Sequence, residues 1–148
     1  MVGYYIDAGD EHVSELITPY LWQDYGLSTL LKKETRNRNY GKDLELLLIK
    51  YYVEGKFSSY LPHEPKVNNY MSKSKDIGVD IAVTKDLFHD RNEFERREFI
   101  VDSTLHAIKL IRDKLKKKKL DINFESLIKD IIEISEEYLK RLEPYSKV

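Results

Sequence analysis

The hydrophobic residues change their period near residue 90, and that change constrains the fold more than any other feature. Before it, Ile77, Val79, Ile81 and Val83 alternate with Asp76, Gly78, Asp80 and Ala82. This is the two-residue period of a strand with one face in a core and the other, carrying two carboxylates, in solvent. After it, Phe94, Ile100, Val101, Thr104, Leu105, Ala107, Ile108, Ile111 and Leu115 gather on one side of a 3.6-residue period. Asp90-Arg91-Asn92-Glu93 reads as a capping box with Asp90 as cap, and the helix is expected to run to about Lys117. Asp121 or Asn123 caps a second helix, whose stripe is Phe124, Leu127, Ile128, Ile131, Ile132, Ser135, Tyr138, Leu139 and Leu142, with Pro144 ending it. The short link makes the two helices antiparallel neighbours.

The first half reads mostly as strand. Val2, Tyr4, Ile6 and Ala8 alternate with Gly3, Tyr5 and Asp7 as a short first strand. Asp10 caps a helix start, and Thr18-Pro19 opens a second short helix that Gly26 can end. Residues 27–35 fit either a strand or a short helix capped by Ser28. Residues 44–53 are apolar on both faces, as a central buried strand would be. Helix is the alternative there, and strand is preferred because a turn precedes it; Tyr51 and Tyr52 then point to opposite sheet faces. Phe57 to Tyr60 extends that strand or pairs locally. Strands followed by helices give an α+β domain. The expectation is a single domain over residues 1–148. A small antiparallel sheet of three to four strands comes from the N-terminal half, with the two long antiparallel C-terminal helices packed on one face.

Several chemistries are excluded by what the chain lacks. Among 148 residues there is no cysteine, which removes disulfides, thiolate zinc sites and thiol catalysis. The N-terminus has no basic n-region or apolar core of a signal peptide, and the longest apolar run is Leu46 to Ile49. A cytoplasmic protein without a membrane span is therefore expected. His12, His63, His89 and His106 have no partners at zinc-ligand spacing, and no phosphate-cradling glycine motif or nucleophile elbow occurs. Asp76 and Asp80 lie roughly 13 Å apart along a strand, too far for a catalytic dyad. Asp102 and His106 are one helical turn apart, but helix geometry points Ser103 away from them. No cofactor, no metal site and no enzymatic activity are expected.

The charge is segregated. The first 31 residues hold five acids (Asp7, Asp10, Glu11, Glu15 and Asp24) and no Lys or Arg. Residues 109–120 hold seven basic residues and one acid. Segregated charge steers a partner even when net charge is close to zero. Tyr20, Trp22 and Tyr25 share the acidic segment, and Tyr and Trp are preferred hot-spot residues. The candidate partner-binding set is therefore Asp7, Asp10, Glu11, Glu15, Tyr20, Trp22, Asp24 and Tyr25, facing a basic partner. Trp22 also reads as a core residue. Phe99, His106 and Leu110 cluster opposite the main apolar face of the first long helix, either packed under the N-terminal segment or forming a small contact patch. A second reading is a nucleic-acid-binding or regulatory module using Lys114–Lys119 with Arg36 and Arg38.

The Tyr-Tyr-Ile-Asp strand, Pro19 to Trp22, Tyr51 to Phe57, and the Ile77 to Val83 strand leading into two helices carry a resemblance. Together they look like the small α+β immunity proteins of bacterial polymorphic-toxin and contact-dependent competition systems. The resemblance implies a cytosolic binder that neutralises a cognate toxin domain, often a nuclease. It would do so by occluding the active site or substrate groove, with no catalysis of its own.

Overall fold

A computed structural model describes residues 3–8, 26–53, 65–67, 70–84 and 90–140. It has strands β1 (Gly3–Ala8), β2 (Leu46–Val53), β3 (Pro65–Val67) and β4 (Asp76–Val83), and helices α1 (Leu27–Glu34), α2 (Glu93–Leu115) and α3 (Phe124–Lys140). The strands form one sheet in the order β1-β2-β4-β3. β1 pairs parallel with β2 and β2 parallel with β4; only the short β3 runs antiparallel to β4.

This corrects the antiparallel sheet expected from sequence. Adjacent parallel strands need a crossover connection. Residues 9–45 supply it, with α1 inside them packed against β1 and α3. Besides the two long C-terminal helices, the described residues hold a third, α1, in the N-terminal half. α1 resolves the open reading of residues 27–35. Its N-cap is Gly26 and makes no side-chain cap bond; Ser28 lies inside the helix and is buried. Leu27, Leu30 and Leu31 are buried on its inner side, each stabilising the fold by about 1.5–3 kcal/mol.

The strand period appears directly in the burial. Leu47, Ile49 and Tyr51 of β2 are buried, as are Ile77, Val79 and Ile81 of β4, and they stand opposite one another in register. Against them lie Ile100, Ala107, Ile108 and Ile111 of α2 and Leu127, Ile131 and Tyr138 of α3 in one core. On the other face Leu48, Lys50, Tyr52 and Asp80 are half-buried rather than freely solvated. Lys50 of β2 stands directly opposite Asp80 of β4. Opposite charges on neighbouring strands favour this register over a slipped one.

The helix boundaries move slightly. α2 is capped by Asn92, not Asp90. The Asn92 side chain accepts from the Glu95 N–H at 2.9 Å, and Glu95 accepts from the Asn92 N–H at 3.1 Å. Asn123 caps α3, accepting from the Ser126 N–H at 3.0 Å. Phe94 and Ile132 belong to the expected apolar stripes but are exposed. One long-range clasp closes the fold. The loop before β2 meets the α2–α3 connection through Asn123 N–H to the Tyr40 carbonyl (2.7 Å), Asp43 N–H to the Asp121 carbonyl (3.1 Å) and Asp121 N–H to the Asp43 carboxylate (2.7 Å). The expected helices at Asp10 and Thr18-Pro19, the Phe57 to Tyr60 segment and the Pro144 stop lie outside the described residues.

Candidate partner-binding surface

Of the residues singled out in the sequence, Asp7 sits in β1, in register with Lys50. Asp10, Glu11, Glu15, Tyr20, Trp22, Asp24 and Tyr25 lie outside the described residues. The described surface offers a different concavity. A groove of about 390 Å³ runs along the first half of α2, lined by Arg91, Glu95, Glu98, Phe99, Asp102, Ser103 and His106. Glu95, Glu98 and Asp102 follow one another at three and four residues, so one helix face presents them in a row. The Arg91 guanidinium lies over the Phe99 ring, 4.9 Å from its centroid.

The sheet holds this face of the helix from beneath. Tyr51 is fully buried, and its hydroxyl lies 2.6 Å from Ser103 Oγ. Ser103 donates to the Phe99 carbonyl at 2.7 Å, which leaves Tyr51 as donor to Ser103. The Tyr51 ring also meets Phe99, with centroids 6.3 Å apart. Ser103 therefore lines the same groove as Asp102 and His106, which sequence reasoning did not foresee. Its proton is committed to a backbone carbonyl, so the three do not form a nucleophile relay.

Burial pushes the Tyr51 phenol up to about 12. The folded protein thus keeps a proton that the unfolded chain loses near pH 10. The stabilisation is complete below pH 10 and is lost as pH rises through 12. Its size is about 2–3 kcal/mol. Urea midpoints measured from pH 9 to 12 are expected to fall more steeply for wild type than for Tyr51→Phe; parallel curves would contradict the burial argument.

Two charged groups that sequence reasoning missed are structural. Arg97 is buried. Its Nη1 donates to the Tyr138 carbonyl at 2.9 Å, its guanidinium lies 5.5 Å from the Tyr138 ring centroid, and its Nε is 3.5 Å from Glu93. The signal was present, since Arg97 stands one turn before Ile100 and Val101 on the apolar stripe. Asp130 is also buried, accepting from the Tyr40 hydroxyl at 2.7 Å and pairing with Arg38 at 2.5 Å. The hydrogen bond to Asp130, then its charge, raises the Arg38 pKa.

The cations of the nucleic-acid reading are partly engaged inside the fold. Arg38 holds Asp130, and Lys114 donates to the Val67 carbonyl at 2.7 Å. Lys116 to Lys119 are exposed beyond the end of α2. Among the described residues no group of three or more His, Asp or Glu is arranged to hold a metal ion. No helix among them is long and apolar enough to cross a membrane.

No curated protein and no solved structure matches the chain. The family profile described as Immunity protein 44 matches residues 3–137, which takes in every strand, α1, α2 and nearly all of α3. The chain belongs to the Immunity protein 44 family.

Proposed function

We propose that this protein binds a cognate toxin domain in the cytoplasm and neutralises it by covering its active site or substrate groove. The family match over residues 3–137 is the observation that carries this reading. The partner surface is basic, as in a nuclease groove built for phosphate. The acidic segment of Asp7, Asp10, Glu11, Glu15 and Asp24, with Tyr20, Trp22 and Tyr25 as anchors, meets it. The protein contributes no catalytic step.

Co-expression with the toxin domain encoded beside it is the direct test. Growth is rescued and the two chains co-purify if the reading is right; toxicity without complex formation refutes it. Reversing Asp10, Glu11 and Glu15 to Lys is expected to slow association by roughly tenfold at low salt, with little change in dissociation. An unchanged association rate removes the N-terminal segment from the interface.

A further inference from the structure

We infer that the outward face of the first half of α2 is a second docking surface for the toxin, shaped for a segment that carries Lys or Arg beside apolar side chains. The inference rests on the proposed function. Three independent features meet on this face. It is concave, with the groove lying along it. Its charge is of one dominant sign, since Glu95, Glu98 and Asp102 outnumber Arg91 in the lining. It also offers apolar surface: Phe99 is half-buried in the groove lining, and Phe94, outside the lining, is 49% exposed beside its edge, one turn before Glu98.

Exposed aromatic surface beside carboxylates matches the anchor-and-rim composition of protein interfaces. From Glu95 to Asp102 the row rises roughly 10 Å along the helix axis. That spacing suits two or three cationic side chains on a partner segment. A single bound cation does not suit it, in keeping with the lack of a metal-holding group among the described residues. Among the described residues, Glu98 and Asp102 are exposed and engaged in no ion pair, and Glu95 closes the capping box with Asn92. Tyr51 and Ser103 brace the helix from the sheet side, so the surface is pre-organised, which lowers the ordering cost of binding.

The test spares Glu95, so that the helix cap stays intact. E98K/D102K and F94A are made in the full chain, and matching far-UV spectra and melting temperatures establish that they fold. Binding to the adjacent-encoded toxin domain is followed by stopped flow at 50 mM and 500 mM salt. The charge variant is expected to associate at least roughly tenfold more slowly at 50 mM, with the difference shrinking at 500 mM. F94A is expected to dissociate faster. Wild-type rates in both variants overturn this docking surface while leaving the immunity function standing. Failure of wild type to bind the toxin overturns the function itself.

A second probe does not depend on the toxin. Tetralysine, with tetraglutamate as control, is titrated into isotope-labelled protein. Backbone shifts concentrated over residues 94–106 and abolished in E98K/D102K support the surface. Shifts confined elsewhere overturn it. So does a salt-sensitive dimer at micromolar concentration that E98K/D102K abolishes, since a second copy of this chain then occupies the face.

Discussion

Gly41→Ala is expected to be among the most damaging single substitutions in the described fold. Gly41 has a φ of +110°, a conformation open to glycine and strained for any residue with a Cβ. A Cβ built there overlaps the backbone carbonyl of Asp121, so the side chain meets main chain that cannot rotate away. Relief requires the two loops to separate, at the expense of the bonds that join Tyr40 to Asn123 and Asp43 to Asp121. Strain of about 1–3 kcal/mol, with two or three hydrogen bonds at about 1 kcal/mol each, gives a loss of roughly 3–6 kcal/mol. For a chain of this size that lowers the melting temperature by about 10 °C or more. Lys42→Ala, next door and exposed, is expected to change stability by less than about 0.5 kcal/mol. Equal melting temperatures for Gly41→Ala and wild type would show that the clasp is not tight.

That clasp also marks where sequence reasoning ends. The alternation of Ile77 to Val83 was legible because burial on one face leaves a two-residue trace. The stripes of α2 and α3 were legible because they extend over four turns or more. Strand direction was not. Leu46 to Ile49 is the near-continuous apolar run of a parallel strand. A preceding turn argues for a meander, whereas the pairing runs β2 parallel to both β1 and β4. α1 itself has eight residues and no capping side chain, so its local signals were weak and tertiary packing of three leucines settles it. The groove on α2 was half visible. Phe99, His106 and Leu110 cluster opposite the main apolar face by helix geometry alone, whereas the Glu95, Glu98 and Asp102 row carries no signal that sets it apart from a solvated helix face. The Tyr51–Ser103 contact spans 52 positions and has no local trace.

The second large effect concerns Asp130. It is 7% exposed, and it receives the hydroxyl of Tyr40, which is 1% exposed. Asp130→Ala removes the acceptor of the buried Tyr40 hydroxyl, at a cost of about 1–3 kcal/mol. Arg38, half exposed and joined to the same carboxylate, simply returns to water and adds little. With the small cavity included, the loss is expected near 3 kcal/mol by urea denaturation. Tyr40→Phe is gentler, about 1 kcal/mol, because the carboxylate keeps Arg38 as its partner. The informative measurement is the double variant. Once Asp130 is alanine, the bond between the two is already lost, so changing Tyr40 to Phe on that background is expected to be close to neutral. A coupling energy of about 1 kcal/mol follows if the pair acts as one unit. Strict additivity would mean that the hydroxyl finds another acceptor and that Asp130 serves Arg38 alone. In the coupled case the carboxylate locks the loop before β2 onto α3, across 90 positions of sequence. The immunity function then depends on this buried pair through folding and not through contact. Asp130→Ala should reduce protection against the toxin in proportion to the folded fraction, with the association rate per folded molecule unchanged.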